Sequence, residues 1–106
     1  MTTDSPVGPV QHVVLLTFSP EMTDEMISAA AVALRALPGQ IPEIRDYRVG
    51  IDLALTDGNA QLSVVADFAD HDDYLTYSQN ADHQDVIATH IRPYLAGRTA
   101  SQSLLN

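Results

Sequence analysis

The chain of 106 residues has no cysteine and no lysine. Without cysteine there is no disulfide framework, no thiolate nucleophile and no cysteine-ligated zinc site. The chain has five arginines and 14 acidic residues, so its formal net charge is −9. Such a charge repels phosphate backbones and anionic headgroups, so nucleic acid and membrane surfaces are poor partners. No apolar run approaches the roughly 20 residues that a transmembrane helix needs.

What the chain does contain is typical of one small globular domain. Its length allows a single core, and a hydrophobic share of 45% is ordinary for a folded protein. Residues 1–9 are polar, hold Pro6 and Pro9, and lack the basic start and apolar stretch of a secretion signal. We expect residues 1–9 to be a flexible tail, residues 10–106 to be the domain, and the protein to be cytoplasmic.

The first half of the domain predicts one strand and one helix. Residues 10–18 are rich in β-branched side chains, and their even positions are almost wholly apolar, which is typical of a strand with one face in a core. Thr23 is a predicted N-cap, followed by apolar residues at helical spacing until Gly39.

The second half predicts a hairpin, two helical pieces and a last strand. Residues 44–53 and 60–69 read as antiparallel strands joined by a turn at residues 56–59. A helix from Asp70 to about Gln79 is followed by a break at residues 80–82 and a second piece from about His83 to residue 90 or 91. Residues 98–105 are a weak final strand.

This β-α-β-β-α-β order indicates an α+β, ferredoxin-like fold. Right-handed crossovers place both helices on one face of a four-stranded antiparallel sheet. The other face is half apolar, and no further segment remains to cover it. We therefore predict a homodimer joined sheet to sheet, in which this open face is buried. The open face consists of Gln11, Val13, Leu15, Thr17, Ser63, Val65 and Asp67.

Four stretches of the chain, in register, are similar to one protein family. They are residues 12–18, residues 33–44, Gly50, and the run from Tyr77 through residues 80–86 to Arg92 and Pro93. Over residues 10–105 the chain resembles the stress-responsive A/B-barrel family of small dimeric α+β barrel proteins. The resemblance implies a homodimeric barrel and no single activity.

One plant branch of that family consists of olivetolic acid cyclase-like polyketide cyclases, which close a poly-β-keto chain by intramolecular aldol condensation. The resemblance places the Tyr–His pair of this branch on Tyr77 and His83, and its strand histidine on His12. The family often has His-Pro-x-His before the second catalytic position, whereas residues 80–83 here read Asn-Ala-Asp-His.

Tyr77 and His83 suit proton abstraction from a carbon beside carbonyl groups. His83 would take the proton, and the Tyr77 hydroxyl would hydrogen-bond the enolate, with no metal or cofactor. On an unbroken helix the two residues would lie about 240° apart, so the break at residues 80–82 must turn them together. The alternative is that Tyr77 packs in the core and His83 only closes the break. A helix N-terminus would favour neutral His83, whereas Asp82 or Asp85 would favour its charged form.

Inward-facing strand residues are the candidate substrate-binding positions: His12, Val14, Leu16, Val64 and Ala66. His12 either lines a pocket or is a core histidine satisfied by a hydrogen bond. The leading hypothesis is a small-molecule-binding protein, a cofactor-independent cyclase or isomerase acting on a hydrophobic, carbonyl-rich substrate. The alternatives are a non-enzymatic dimeric stress-responsive or ligand-binding protein and, less favoured, a cofactor-free monooxygenase.

Overall fold

Helical segments cover one face of a four-stranded antiparallel sheet in the computed structural model, which describes residues 7–105. The strands are β1 (Val10–Phe18), β2 (Ile44–Ile51), β3 (Leu62–Phe68) and β4 (Leu95–Leu104). They lie in the order β2-β3-β1-β4, so β1 and β3 are central. The predicted ferredoxin-like fold is confirmed. Most of the expected tail, residues 1–6, lies outside the described residues, as does Asn106.

The helices begin where capping side chains are available. Helix α1 (Asp24–Arg35) has Thr23 as N-cap, and the Thr23 hydroxyl accepts from the amide of Met26. It ends before the predicted Gly39 because Pro38 supplies no amide hydrogen, and a 3₁₀ turn (Leu37–Gly39) completes the segment. Helix α2 (His71–Gln79) is capped by Asp70.

The second helical segment continues beyond α2, first as a short α-helix and then in irregular turns. Helix α3 (Ala81–Val86) is followed by a π-helical turn (Ile87–Ile91) and a 3₁₀ turn (Arg92–Tyr94). The predicted start of the second piece at His83 is therefore two residues late. No helix in residues 7–105 is long and apolar enough to cross a membrane.

Several strand boundaries also differ from the sequence prediction, and β3 covers Leu62–Phe68 instead of residues 60–69. Strand β4 begins at Leu95 rather than Arg98 and runs through Gly97, because backbone pairing with β1 extends over the whole length of that central strand. Strand β2 ends at Ile51 instead of residue 53, because the chain turns just beyond it, where the Asp52 carboxylate accepts a hydrogen bond from the amide of Ala54 and the φ of Ala54 is 57°.

The core lies between the helices and the inward side chains of the sheet. In β1 the even positions are buried, whereas Leu15 on the opposite face is 42% exposed. The open face therefore exists as predicted. It also holds a buried carboxylate oxygen, Oδ1 of Asp67, with no hydrogen-bond partner among the described residues. The largest fully buried core side chains are Phe68, Leu34, Leu37, Ile41, Leu62, Ile91 and Val64.

Candidate functional site

A cavity of about 240 Å³ lies between the helical layer and the sheet. Both proposed catalytic residues, Tyr77 and His83, line it. Four of the five proposed substrate-binding residues do so as well, whereas Ala66 is fully buried and does not line the cavity. The cavity is lined by His12, Val14, Leu16, Leu34, Val64, Tyr74, Tyr77, Ser78, His83, Gln84, Ile87, Arg92 and Arg98.

Asn80 is the residue that brings Tyr77 and His83 together. Its backbone is extended, with φ −63° and ψ 137°, so it ends α2 and starts α3 in a new direction. Its Oδ1 accepts hydrogen bonds from the amides of Asp82 and His83, at 2.8 Å and 3.2 Å. The ring centroids of Tyr77 and His83 consequently lie 4.2 Å apart, with an angle of 39° between the planes.

His83 presents an unprotonated nitrogen in its neutral form. Its Nδ1 lies 3.3 Å from the carbonyl oxygen of Ser78. Because a carbonyl oxygen only accepts, Nδ1 carries the hydrogen and Nε2 keeps its lone pair. Burial lowers the pKa of His83, the Ser78 bond raises it, and the charge of Arg98 lowers it further. Burial is the largest of these causes, so the pKa of His83 lies below its ordinary value of 6.5 and the neutral form is favoured near neutral pH.

Tyr77 is a hydrogen-bond donor that does not ionise near neutral pH. Its side chain is 2% exposed, and burial raises its pKa far above the ordinary value of 10. Its hydroxyl lies 2.9 Å from that of Tyr47, whose pKa burial raises to about 12. One of the two hydroxyls donates to the other. When Tyr47 donates, the Tyr77 hydrogen is available to a ligand oxygen.

His12 is both hydrogen-bonded and part of the cavity lining. It is 4% exposed, and the amide Nε2 of Gln102 lies 2.8 Å from its Nδ1. With Gln102 as donor, the hydrogen of the neutral ring is on Nε2. Burial lowers the pKa of His12 to about 4, and the charge of Arg98, together with that of His83 when it is protonated, acts in the same direction. His12 and His83 are thus neutral rings with opposite tautomers, one able to donate and the other to accept.

Strand register sets this arrangement across the sheet. Tyr47, Ala66, His12 and Gln102 occupy one row, from β2 to β4. In that row Tyr47 and His12 lie on either side of Ala66. The Tyr77 ring lies 6.0 Å from the Tyr47 ring and 6.2 Å from the His12 ring. A methyl side chain at residue 66 leaves room for the phenol between them.

Sequence reasoning missed five residues around the cavity. For Arg98 and Gln102 the available signal was strand parity, because even positions of β4 face the helices once Arg98 is paired with Leu16 and Gln102 with His12. Strand parity gives no signal for Tyr74, which lies in α2, or for Arg92, which lies in the 3₁₀ turn. Tyr47 was placed on the core face of β2 but could not be joined to Tyr77 without coordinates. The five residues are Tyr47, Tyr74, Arg92, Arg98 and Gln102.

Within residues 7–105, no three His, Asp or Glu side chains lie close enough together to hold a metal ion. The polar side-chain groups that line the cavity are hydroxyls, imidazoles, guanidiniums and the carboxamide of Gln84.

The fold and the cavity together define a ferredoxin-like α+β domain with a mostly apolar pocket holding a Tyr–His pair. The profile of the Stress responsive A/B Barrel Domain family matches residues 10–103. The chain therefore belongs to that family, and the predicted membership is confirmed. No curated protein matches the chain.

Several solved structures have a fold similar to that of this chain. A dimeric ferredoxin-like protein of unknown function from Thermobifida fusca is 33% identical, with a TM-score of 0.85 over 98% of this chain and 97% of that one. A dimeric protein of the same fold and of unknown function, from Bacteroides fragilis, is 21% identical, with a TM-score of 0.78 over 93% and 98%. Hydroxynitrile lyase from Passiflora edulis is 16% identical, with a TM-score of 0.80 over 95% and 96%. Dimeric neighbours support a homodimer here.

Proposed function

We propose that the cavity binds a small hydrophobic carbonyl compound and catalyses cofactor-independent acid–base chemistry on it, as a cyclase or isomerase. The observation that carries the proposal is the contact of a buried, protonated phenol, Tyr77, with a neutral imidazole, His83, whose Nε2 is free to accept a proton. A proton acceptor and an oxyanion donor in one apolar cavity are what enolisation requires.

The proposed reaction begins at a C–H bond beside a carbonyl. His83 Nε2 takes the proton, and the Tyr77 hydroxyl donates to the carbonyl oxygen as negative charge develops there. His12 Nε2–H is a second donor for the same or a neighbouring oxygen. In a cyclisation the enolate carbon attacks a second carbonyl of the same molecule and forms a C–C bond. The His83 imidazolium then returns the proton to the alkoxide, so no oxidant or reductant is consumed.

Cavity size limits the substrate. The volume of about 240 Å³ is below the roughly 300–1,000 Å³ of most ligand pockets, which favours a single ring or a short chain. The walls are formed by aliphatic side chains such as Val14, Leu34 and Ile87, so the bound part of the substrate is apolar apart from its carbonyl groups. Excluding water in this way strengthens the hydrogen bonds of Tyr77 and His12 to an oxyanion.

The second candidate is a dimeric ligand-binding protein without turnover. It is favoured by the hydroxyl of Tyr77, which already has a partner in Tyr47 and is almost inaccessible. In this reading the aromatic side chains and His83 form a rigid wall for a bound ligand. The solved relative named as a hydroxynitrile lyase supports the first candidate only in that an enzyme of this fold exists.

The proposed assembly is a homodimer through the open face. Val13 and Val65 lie opposite each other at the centre of that face, and both are only half-buried in one protomer. The unpartnered Oδ1 of Asp67 lies on the same face. A second copy would cover the two valines and supply a hydrogen-bond donor to the carboxylate. Exposed apolar side chains and a buried carboxylate oxygen without a hydrogen bond both cost free energy.

Hydrogen–deuterium exchange at carbon tests the catalytic proposal. Simple ketones that exchange slowly by themselves, such as 4-phenylbutan-2-one and 2-heptanone, are incubated in D₂O with the protein and followed by ¹H NMR. We expect faster exchange beside the carbonyl than in buffer with equimolar imidazole. His83→Ala should lower the protein-dependent rate by about 100-fold or to background.

The matched control is His90→Ala, which removes a half-buried histidine of the π-helical turn that does not line the cavity. It should leave the exchange rate unchanged. Ligand binding without any protein-dependent exchange would overturn the enzyme proposal in favour of the binding protein. Equal exchange by wild type and His83→Ala would remove His83 from the mechanism.

A further inference from the structure

The cavity lining has a charge composition opposite to that of the whole chain. The protein has 14 acidic residues and five arginines, yet the lining contains two arginines, Arg92 and Arg98, and no aspartate or glutamate. Both histidines of the lining are neutral near pH 7, because burial lowers their pKa values. The guanidinium groups of Arg92 and Arg98 are therefore the charged side-chain groups of the lining near pH 7.

Arg98 is placed at the cavity by the sheet register. It pairs with Leu16 across β1 and β4, and so lies on the helix-facing side of an edge strand. Arg92 approaches from the 3₁₀ turn just before β4. Both side chains are exposed, so they lie where the cavity meets solvent. Among residues 7–105, neither guanidinium has a carboxylate within 4.0 Å, whereas Arg48 pairs with Asp46 at that distance.

The field of Arg98 reaches the reacting end of the cavity. Its charge lowers the pKa of His12 and of His83, and it lowers the pKa of Tyr77 as well. An anion seated on Arg98 would therefore be close to the proposed acid–base pair. The net charge of −9 does not forbid this, because repulsion from distant carboxylates is screened beyond roughly 8 Å at physiological ionic strength.

We propose that the substrate of this cavity is a keto acid whose carboxylate is bound by Arg98, with Arg92 beside it, at the mouth. The planar guanidinium matches a carboxylate in a two-point hydrogen bond. The apolar body then extends past Leu16 and Val14, and the carbonyl reaches Tyr77 and His83. This inference rests on the proposed function, because it assigns the substrate class of the same cavity.

Binding of two matched ligands tests the inference. The probes are 4-oxo-4-phenylbutanoate and its neutral amide, which share the ring and the ketone and differ in the charged group. Each is titrated into ¹⁵N-labelled wild type, Arg98→Gln and Arg48→Gln, and the dissociation constants are taken from amide shifts. We expect the acid to bind wild type roughly tenfold more tightly than the amide. This is the gain in affinity expected from one partly exposed hydrogen bond between charged groups.

The variants separate the charge effect from folding. Arg98→Gln should abolish the preference for the acid and leave the affinity for the amide unchanged, which also shows that the cavity is intact. Arg48→Gln removes an exposed arginine outside the cavity and should retain the preference.

Two results would count against the inference, and they differ in what else they overturn. Equal affinity of wild type for acid and amide, or a preference that persists in Arg98→Gln, would overturn the carboxylate site and leave the proposed carbonyl cavity standing. Failure of both probes to shift any residue of the cavity would overturn the proposed binding site and the inference together.

Discussion

The phenol of Tyr77 and the imidazole of His83 are in ring contact, 4.2 Å between centroids, although they belong to two different helices. The contact depends on Asn80, which ends α2 with an extended backbone and caps α3 with its side chain. A regular helix over residues 77–83 would separate the two rings by about 240° around its axis. The proposed acid–base pair thus depends on the local backbone conformation at Asn80.

Loss of this cap should reduce both stability and activity. Asn80→Ala removes the acceptor for the amides of Asp82 and His83, and we expect a loss of about 1 kcal/mol in the free energy of unfolding. Because α3 carries His83, carbon-bound deuterium exchange should also fall. Urea denaturation and the exchange assay measure the two effects. Asn80→Ser keeps an uncharged capping oxygen and should retain most of both, so equal losses in the two variants would contradict the capping argument.

The buried His12 should make stability fall in mild acid. Its folded pKa is about 4, against an ordinary value of 6.5, so between these pH values the unfolded chain binds more protons than the folded one. The contribution of His12 is complete above pH 6.5 and is lost as the pH falls towards 4. The loss amounts to about 3 kcal/mol, to which His83 adds in the same direction.

Denaturant unfolding at a series of pH values, in wild type and His12→Leu, isolates this contribution, because all other titrating groups are shared. The variant should show a flatter dependence. In wild type an NMR titration of the His12 ring provides a second measurement, and a midpoint near 6.5 would show that the ring is not held neutral.

The hydrogen bond between Tyr47 and Tyr77 should tune the proposed donor. If Tyr47 donates to Tyr77, it makes the Tyr77 hydroxyl a better donor to an oxyanion. Tyr77→Phe should then lower exchange by roughly 100-fold and Tyr47→Phe by roughly tenfold, with little change in ligand affinity. Tyr94→Phe, in a tyrosine that does not line the cavity, is the control and should behave as wild type. An unaffected Tyr47→Phe would mean that the bond only positions the rings.

A charge at the centre of the open face should dissociate the proposed dimer. Val13→Glu would place a carboxylate opposite Val65, where burial against a second copy is costly without a partner charge. Sedimentation velocity should show a dimer for wild type and a monomer for this variant. Val32→Glu, at a valine of α1 that is 66% exposed, makes the same chemical change on the helical face and should remain dimeric. Dissociation by both substitutions, or by neither, would place the interface elsewhere.

Local patterns in the sequence were sufficient for most of the fold. Alternation in β1 identified its buried face, and Thr23 was identified as an N-cap because it is a short polar residue before a helical pattern. These features depend on neighbours in the chain, which is why composition and periodicity reveal them. The boundaries that were wrong, such as the start of β4 at Leu95, depend on pairing with a distant strand.

The candidate site could be predicted only in part from the sequence, and the rest required the tertiary structure. The sequence by itself indicated a break at residues 80–82 and a tyrosine and a histidine on either side of it. Only the tertiary structure decided that Tyr47 meets Tyr77, that Gln102 fixes the tautomer of His12, and that Arg98 stands at the cavity. These contacts join residues 30 and 90 positions apart, and their geometry follows from strand register and burial, which no local pattern encodes.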